Sequence, residues 1–223
     1  MKKIIITESQ LKYIINEVKL DGYNENVVNR YINLGYLVHG TNEDFDKFDQ
    51  TKIKGGTRGE YGYGMYFTNT AYKALEYGCT IYITKEDIYN FLDLRTRDMS
   101  FINKFSDIEQ KIIILQDKLD NSRNVREYDY YNQEIEELKS KLPFLTFYEE
   151  IVLNKFKQII YKYPDTTLEK IYKGVRCDLP GGYDKYMSSL LLKFGYDGVK
   201  CYNQYVIFNF DLLNDNLLKD VNE

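Results

Sequence analysis

The stretch Gly62-Tyr63-Gly64-Met65-Tyr66-Phe67-Thr68 decides how this chain is read. Two glycines free the backbone immediately before a short aromatic strand of Met65, Tyr66 and Phe67. The polar Thr68-Asn69-Thr70 that follows predicts a cap for a helix carrying Ala71, Ala74, Leu75 and Tyr77. A glycine-loosened loop that feeds a strand and then a helix allows a flat ligand to lie close to backbone. Tyr66 and Tyr77 stand far enough apart to offer two separate aromatic faces. The same pattern also suits a strand and helix packed into a core.

Outward from that stretch, Tyr36-Leu37-Val38 predicts a strand running into His39-Gly40-Thr41, and Phe45 and Phe48 follow in an acidic segment. Thr80-Ile81-Tyr82-Ile83-Thr84 is β-branched and predicts another strand. Towards the C-terminus, Gly198-Val199-Lys200-Cys201 and Tyr205-Val206-Ile207-Phe208 predict two strands joined through Tyr202, Asn203 and Gln204. The remainder is helical in pattern. Ile4–Ile6 predicts a short strand or extended lead. A helix with Leu11, Ile14, Ile15 and Val18 on one face ends at Gly22, and a second with Val27, Val28, Tyr31, Ile32 and Leu34 is stopped by Gly35. Between Ser100 and Leu142 the composition shifts. Ile108, Ile112, Leu115 and Leu119 recur at helical spacing, Asp120–Asn124 interrupts them, and Ile135, Leu138 and Leu142 resume the pattern. Glu137 stands four residues before Lys141, the favourable order for an exposed charge pair. Pro143 closes this helical hairpin. Further helices are predicted around Phe147–Ile160, Leu168–Ile171 and Met187–Phe194, the last ended by Gly195.

Mixed rather than alternating element order predicts α+β with mainly antiparallel pairing. The domains expected are an N-terminal helical appendage over 1–35 and a main domain over 36–223 that carries a helical insertion at about 100–142.

Composition narrows the function classes. The 223 residues include 23 tyrosines and no tryptophan, and 43% are hydrophobic, enough for a sizeable core. Thirty basic and 34 acidic residues leave a net charge of −4, which implies no bulk attraction to nucleic acid or anionic membrane and leaves room for a local basic patch. No apolar run reaches the roughly 18 residues of a membrane span. Met1–Ile6 opens like a signal peptide but is interrupted by Glu8, Gln10 and Lys12, so a cytoplasmic location is expected, the host cytosol if the chain is phage-encoded. Cys79, Cys177 and Cys201 lack metal spacing and read as idle thiols of a reducing compartment. One histidine cannot build a multi-histidine metal site, and G-x-S-x-G, H-E-x-x-H and P-loop signatures are absent, so no metal is expected.

His39 is that one histidine. A lone histidine is commonly a satisfied structural residue, yet this one ends a strand, precedes a glycine whose main chain is open, and is followed by a hydroxyl residue. Three pieces stand in order: His39-Gly40-Thr41; Gly62-Tyr63-Gly64-Met65-Tyr66-Phe67-Thr68 with Tyr77 beyond it; and Tyr202-Asn203-Gln204-Tyr205-Val206-Ile207-Phe208. The series resembles the ADP-ribosyltransferase superfamily, in the branch shared by diphtheria-type toxins and poly(ADP-ribose) polymerases. It is more similar still to the small ADP-ribosyltransferase domains of phage and mobile-element polyvalent proteins. There H-G-T, F-x-x-F, G-x-G-x-Y-F-T and Y-V-[IV]-F recur in this order, and Phe45-Asp46-Lys47-Phe48 fits the second motif. The likeness covers about residues 36–93 and 174–213.

The resemblance implies split antiparallel β-sheets with flanking helices, and NAD as a substrate with no metal. It implies that Gly40 clamps the nicotinamide carboxamide through its main chain, that His39 hydrogen-bonds a ribose hydroxyl, and that Tyr66 and Tyr77 sandwich the nicotinamide ring. Thr41, Phe67 and Lys73 fall at matching motif positions and join the NAD-contacting set. Ala74 stands where the polymerases usually carry a serine, so one carboxamide contact is lost. Gln204 takes the position of the catalytic glutamate. His39, Tyr66 and Gln204 are thus the implied catalytic set. A glutamine still accepts a ribose hydrogen bond but brings no charge to an oxocarbenium-like state. Such a loss costs about 2–4 kcal/mol of barrier, on the order of 10²–10³ in rate. The activity implied is transfer of one ADP-ribose unit to a macromolecular acceptor, protein or nucleic acid, in a toxin-like or host-modifying role. The alternatives are a silent module of the same fold that holds NAD, ADP-ribose or a protein partner, and a structural protein worked by its helical hairpin. Lys54, Arg58 and Glu60, in the loop before Tyr66, read as solvated charges on their own; the resemblance sets them beside the NAD cleft, where they would touch phosphate or acceptor. Arg95 and Arg97 read the same two ways.

Overall fold

The structure, a computed structural model, describes residues 25–49, 51 and 60–219. The strand expected at Ile4–Ile6, the helix over Leu11–Val18 with its stop at Gly22, and Lys54 and Arg58 lie outside the described residues. The chain forms two compact units: a sheet unit of the described residues up to 51, 63–92 and 197–219, and a helical unit of 60–62 and 93–196. The α+β class is therefore met.

In the sheet unit, helix α1 (Glu25–Asn33) leads through Gly35 into β1 (Tyr36–Thr41). Gly35 takes φ +82°, a left-handed turn that ends the helix as its glycine predicts. Then come β2 (Met65–Thr68), α2 (Ala71–Tyr77), β3 (Thr80–Lys85), a 3₁₀ turn (Glu86–Ile88) and β4 (Phe91–Asp93). The chain returns with β5 (Gly198–Cys201), β6 (Gln204–Ile207), α8 (Phe210–Asn216) and the two-residue β7 (Leu218–Lys219). The seven strands form one sheet, in the order β4-β5-β6-β2-β1-β3-β7, where split sheets were expected. β1 pairs antiparallel with β2 and β3, as do β2 with β6, β3 with β7 and β5 with β6.

Period-2 alternation assigns the faces. Leu37, Met65, Phe67, Tyr205 and Ile207 fall on one, in a core with Tyr89 and Leu213. Val38, Ile81 and Ile83 fall on the other, against Ala71 and Ala74 of α2 and Val28 of α1. Val28 is fully buried, so residue 35 is not a domain boundary: α1 belongs to the sheet unit rather than to an appendage. The Phe45-x-x-Phe48 pair lies over the first face. Phe45 stacks on Tyr82 at 4.1 Å, and Phe48 meets Phe210 at 5.1 Å. The Tyr82 hydroxyl accepts from Phe45 N–H at 2.7 Å and donates back to its carbonyl at 2.8 Å.

The helical unit holds α3 (Ser100–Asp120), α4 (Val125–Ser140), α5 (Phe147–Lys162), α6 (Leu168–Asp178) and α7 (Asp184–Lys193). It is wider than the insertion expected over 100–142. Its α3–α4 hairpin closes on Leu115, Leu119 and Ile135, and Lys141 reaches Glu137 at 2.7 Å. Asn124 caps α4 by accepting from Glu127 N–H at 2.9 Å. A capping box of Thr146 and Glu149 starts α5. Glu149 is 2% exposed. Burial pushes its carboxyl up, but hydrogen bonds from Lys193, Ser189 and Thr146 outweigh that and hold it at about 2. Phe156, Leu168, Val175 and Leu190 form the interior of this unit.

Candidate functional site

The site assembles where β1 parts from β2. Between these strands the ladder registers a single pair, Val38↔Thr68, whereas β1 stays paired to β3 along its whole length, from Tyr36↔Lys85 to Thr41↔Thr80. The N–H of Glu86 donates to the Gly35 carbonyl at 3.1 Å, which marks Gly35 and Glu86 as a hydrogen-bonded pair. Such pairs alternate along an antiparallel ladder. Leu37, His39 and Thr41 therefore turn their main-chain groups towards β3, and Val38 and Gly40 turn theirs towards β2. The same alternation, begun at Val38↔Thr68, turns the carbonyl of Tyr66 towards β1. Beyond Val38, then, the N–H and C=O of Gly40 and the C=O of Tyr66 face one another across an opened seam.

His39 braces that seam. Its Nδ1 lies 2.6 Å from the Tyr66 carbonyl oxygen. A carbonyl only accepts, so Nδ1 carries the proton and donates, leaving Nε2 as an acceptor. Burial lowers the imidazole pKa below its ordinary value near 6.5, against a smaller upward pull from the bond to Tyr66. The ring is neutral at pH 7. It also sits 5.6 Å from the Phe67 ring, tilted by 53°.

Face assignments gather part of the expected set. Tyr66, Thr68 and Gln204 alternate onto the face of α2 and Gly40, with Thr68 directly between Val38 and Gln204 in register. Tyr66 and Gln204 are diagonal neighbours, which on a sheet are roughly 7–8 Å apart. Ala74 lies against Gly40: a Cβ built on Gly40 would overlap the Ala74 carbonyl. Lys73 is half-buried on α2. Phe67, Thr41 and His39 alternate to the opposite face from Tyr66 and Gln204: Phe67 is core beside the His39 ring, and Thr41 Oγ1 accepts from Glu43 N–H at 3.1 Å. Tyr77, the last residue of α2, is 73% exposed.

Several expectations change. Gln204 is the first residue of β6, paired with Cys201, rather than part of the connection. The connection is Tyr202-Asn203 alone, with Tyr202 at φ +52° and 68% exposed, a left-handed backbone that costs a tyrosine about 1–2 kcal/mol. The helix cap is not built as Thr68–Thr70 predicts. Thr70 precedes α2 without a side-chain cap, and Thr68 Oγ1 accepts from Thr70 N–H at 3.1 Å. Asn69 donates instead to the Tyr205 hydroxyl at 3.3 Å. Gly64 does not open space for a ligand, because Val206 and Ile207 fill the position of its absent side chain. In the helical unit Glu60 pairs with Lys173 at 2.5 Å, and Arg95 pairs with Asp93. Thr68 is read in the sequence only as part of a helix cap, not as the residue between Val38 and Gln204. Its importance comes from cross-strand register, which no local pattern carries.

Among the described residues no three His, Cys, Asp or Glu side chains gather as metal ligands, and no helix is long and apolar enough to cross a membrane. Compared with known protein families, curated proteins and solved structures, the chain matches none of them.

Proposed function

We propose that the chain is an NAD-dependent mono-ADP-ribosyltransferase of phage or mobile-element type, which modifies a macromolecule of its host. The observation that carries this reading is the opened β1–β2 seam, with Gly40 main chain facing it and the sole imidazole braced across it. A paired N–H and C=O on one glycine suit a primary carboxamide, which both donates and accepts. A neutral imidazole with Nε2 free to accept suits a ribose hydroxyl. Tyr66, on the α2 face of the sheet, supplies an aromatic surface for a pyridinium ring. The imidazole and the Tyr66 ring lie on opposite faces of the sheet and meet only at the seam, through the Tyr66 carbonyl. Each of these features suits the nicotinamide end of NAD. Ala74 and Gln204 fit it less well, since neither contributes the hydroxyl or the charge that the resemblance implies. Tyr77, exposed at the end of α2, supplies a second ring only by turning inward from solvent.

In the reaction, the bond from ribose C1′ to the pyridinium nitrogen breaks and nicotinamide leaves with the electron pair. An acceptor nucleophile bonds to C1′ and loses its proton. Gln204 orients the ribose through its amide oxygen and leaves the developing positive charge without a carboxylate partner. Slow, single-unit transfer follows.

Incubation with labelled NAD and host extract tests the proposal. The expected result is nicotinamide release with label on a macromolecule, lost in His39→Ala and Tyr66→Ala and raised about 10²–10³-fold in Gln204→Glu. If millimolar NAD neither shifts the melting temperature nor labels any acceptor, in wild type and Gln204→Glu alike, the proposal fails. One observation favours a second reading. The neutral side chain at Gln204 suits a module that holds NAD without cleaving it, and tight binding with no nicotinamide release would select that reading.

A further inference from the structure

The helical unit carries a groove of about 680 Å³ between α5 and α6, lined by Lys155, Gln158, Lys162, Tyr163, Thr166 and Lys170. Over residues 155–176 there are six cations and two carboxylates, a local excess in a chain whose net charge is −4. Four of the six cations are engaged elsewhere: Lys157 by Glu109, Lys173 by Glu60 and Glu169, Arg176 by Asp184, and Lys155 by Asp178 at the rim of the groove, 2.9 Å away. Lys162 and Lys170 have no carboxylate within ion-pair distance among the described residues. Both are exposed. Among the described residues that line the hollow, three ammonium groups stand against one carboxylate, Asp178, which leaves an excess of positive charge suited to an anion.

The hollow is not only basic. Tyr163 is 51% exposed and lines it, with Lys162 Nζ 5.2 Å from its ring centroid, so ring and charge are presented together. Tyr161 is 90% exposed two residues earlier. Ile159 gives the hollow an apolar lining, where Gly174 lets α6 settle against it. Cations spaced along a groove beside open aromatic faces match a ligand with repeated negative charge and flat apolar surfaces. Bases offer those surfaces only when they are unpaired. We infer that the α5–α6 groove binds single-stranded nucleic acid, with phosphates on Lys162 and Lys170 and a base against Tyr163.

The inference goes beyond the transferase reading and is measured without NAD, so the two stand or fall separately. The probe is a fluorescent oligothymidylate of about twelve nucleotides, followed by anisotropy with the whole chain between about 50 and 200 mM salt. Binding is expected to weaken steeply with salt. The double variant Lys162→Ala/Lys170→Ala should bind about tenfold less tightly and flatten the logarithmic salt slope by about 1.4, two phosphate contacts at about 0.7 each. Tyr163→Ala should lose about five- to a hundredfold in affinity with the slope unchanged, a signature of stacking rather than charge. No binding by wild type, binding indifferent to the double variant, or equal competition by polyglutamate or phosphatidylserine vesicles would each overturn it.

Discussion

His39 links stability, tautomer and chemistry in one ring. Burial lowers its pKa from about 6.5, so protonation is easier in the unfolded chain than in the folded one. The stability this gives is complete above pH 6.5 and is lost as the pH falls through that value towards the folded pKa. Because the chain has one histidine, a single imidazole reports the effect. Nitrogen chemical shifts should show the Nδ1–H tautomer at pH 7 and a titration midpoint below 6.5. The melting temperature should drop between pH 7.5 and 5.5 more in wild type than in His39→Gln. An Nε2–H tautomer would remove the brace to Tyr66, and a midpoint at or above 6.5 would mean that burial does not govern the ring. At this scale the sequence already pointed to His39, Gly40 and Tyr66, since glycine beside a lone histidine and a tyrosine after paired glycines are local signals. It could not show that Thr68 is registered to both Val38 and Gln204, 30 and 136 residues away, nor that Tyr202 takes a left-handed backbone, which follows from the two-residue turn that closes when Cys201 pairs with Gln204.

At the level of elements, the docking of α2 on β1 depends on two absent side chains. Gly40 lets the Ala74 carbonyl approach the strand, and Gly78, just past α2, lets the chain pass the backbone of Thr41 and Asn42. Glycines that read as room for a ligand are thus partly room for protein against protein. The helices and the longer strands were legible from periodicity and β-branched runs; their order in one sheet was not, since split sheets were expected. The purpose of each glycine was not, because what fills a missing Cβ comes from elsewhere in the fold. Gly78→Ala sets a methyl group into backbone rather than a yielding side chain, and overpacking of that kind costs about 1–3 kcal/mol. For a chain of this size that is a fall of about 2–12 °C in melting temperature. The variant leaves the main chain of Gly40 in place, so under the proposed transferase reading weaker nicotinamide binding by the folded variant would report displacement of α2 alone. An unchanged melting temperature would mean that α2 does not rest on β1 this closely.

Across the whole molecule, stability is distributed unevenly, and the domain boundaries follow from where apolar surface is buried. The hairpin was legible because its seam repeats locally, at Leu115, Leu119 and Ile135. Its membership in a unit running from 93 to 196 was not, because the interior shared by α5, α6 and α7 joins residues far apart in sequence. Helix α4 buries one side chain, Ile135, while α5 buries Val152, Leu153 and Phe156 together with the anchored Glu149. At about 1.5–3 kcal/mol for each buried apolar side chain, α5 is held by several kcal/mol more than α4. Local opening should follow that difference. Hydrogen exchange at neutral pH should therefore find the amides of 125–140 exchanging at least about a hundredfold faster than those of 152–160, with the α3 amides near Leu115 and Leu119 following α4. Equal protection in α4 and α5 would show instead that the hairpin opens only when the whole unit unfolds, and that its narrow seam is coupled to the α5–α7 interior more strongly than three buried residues account for.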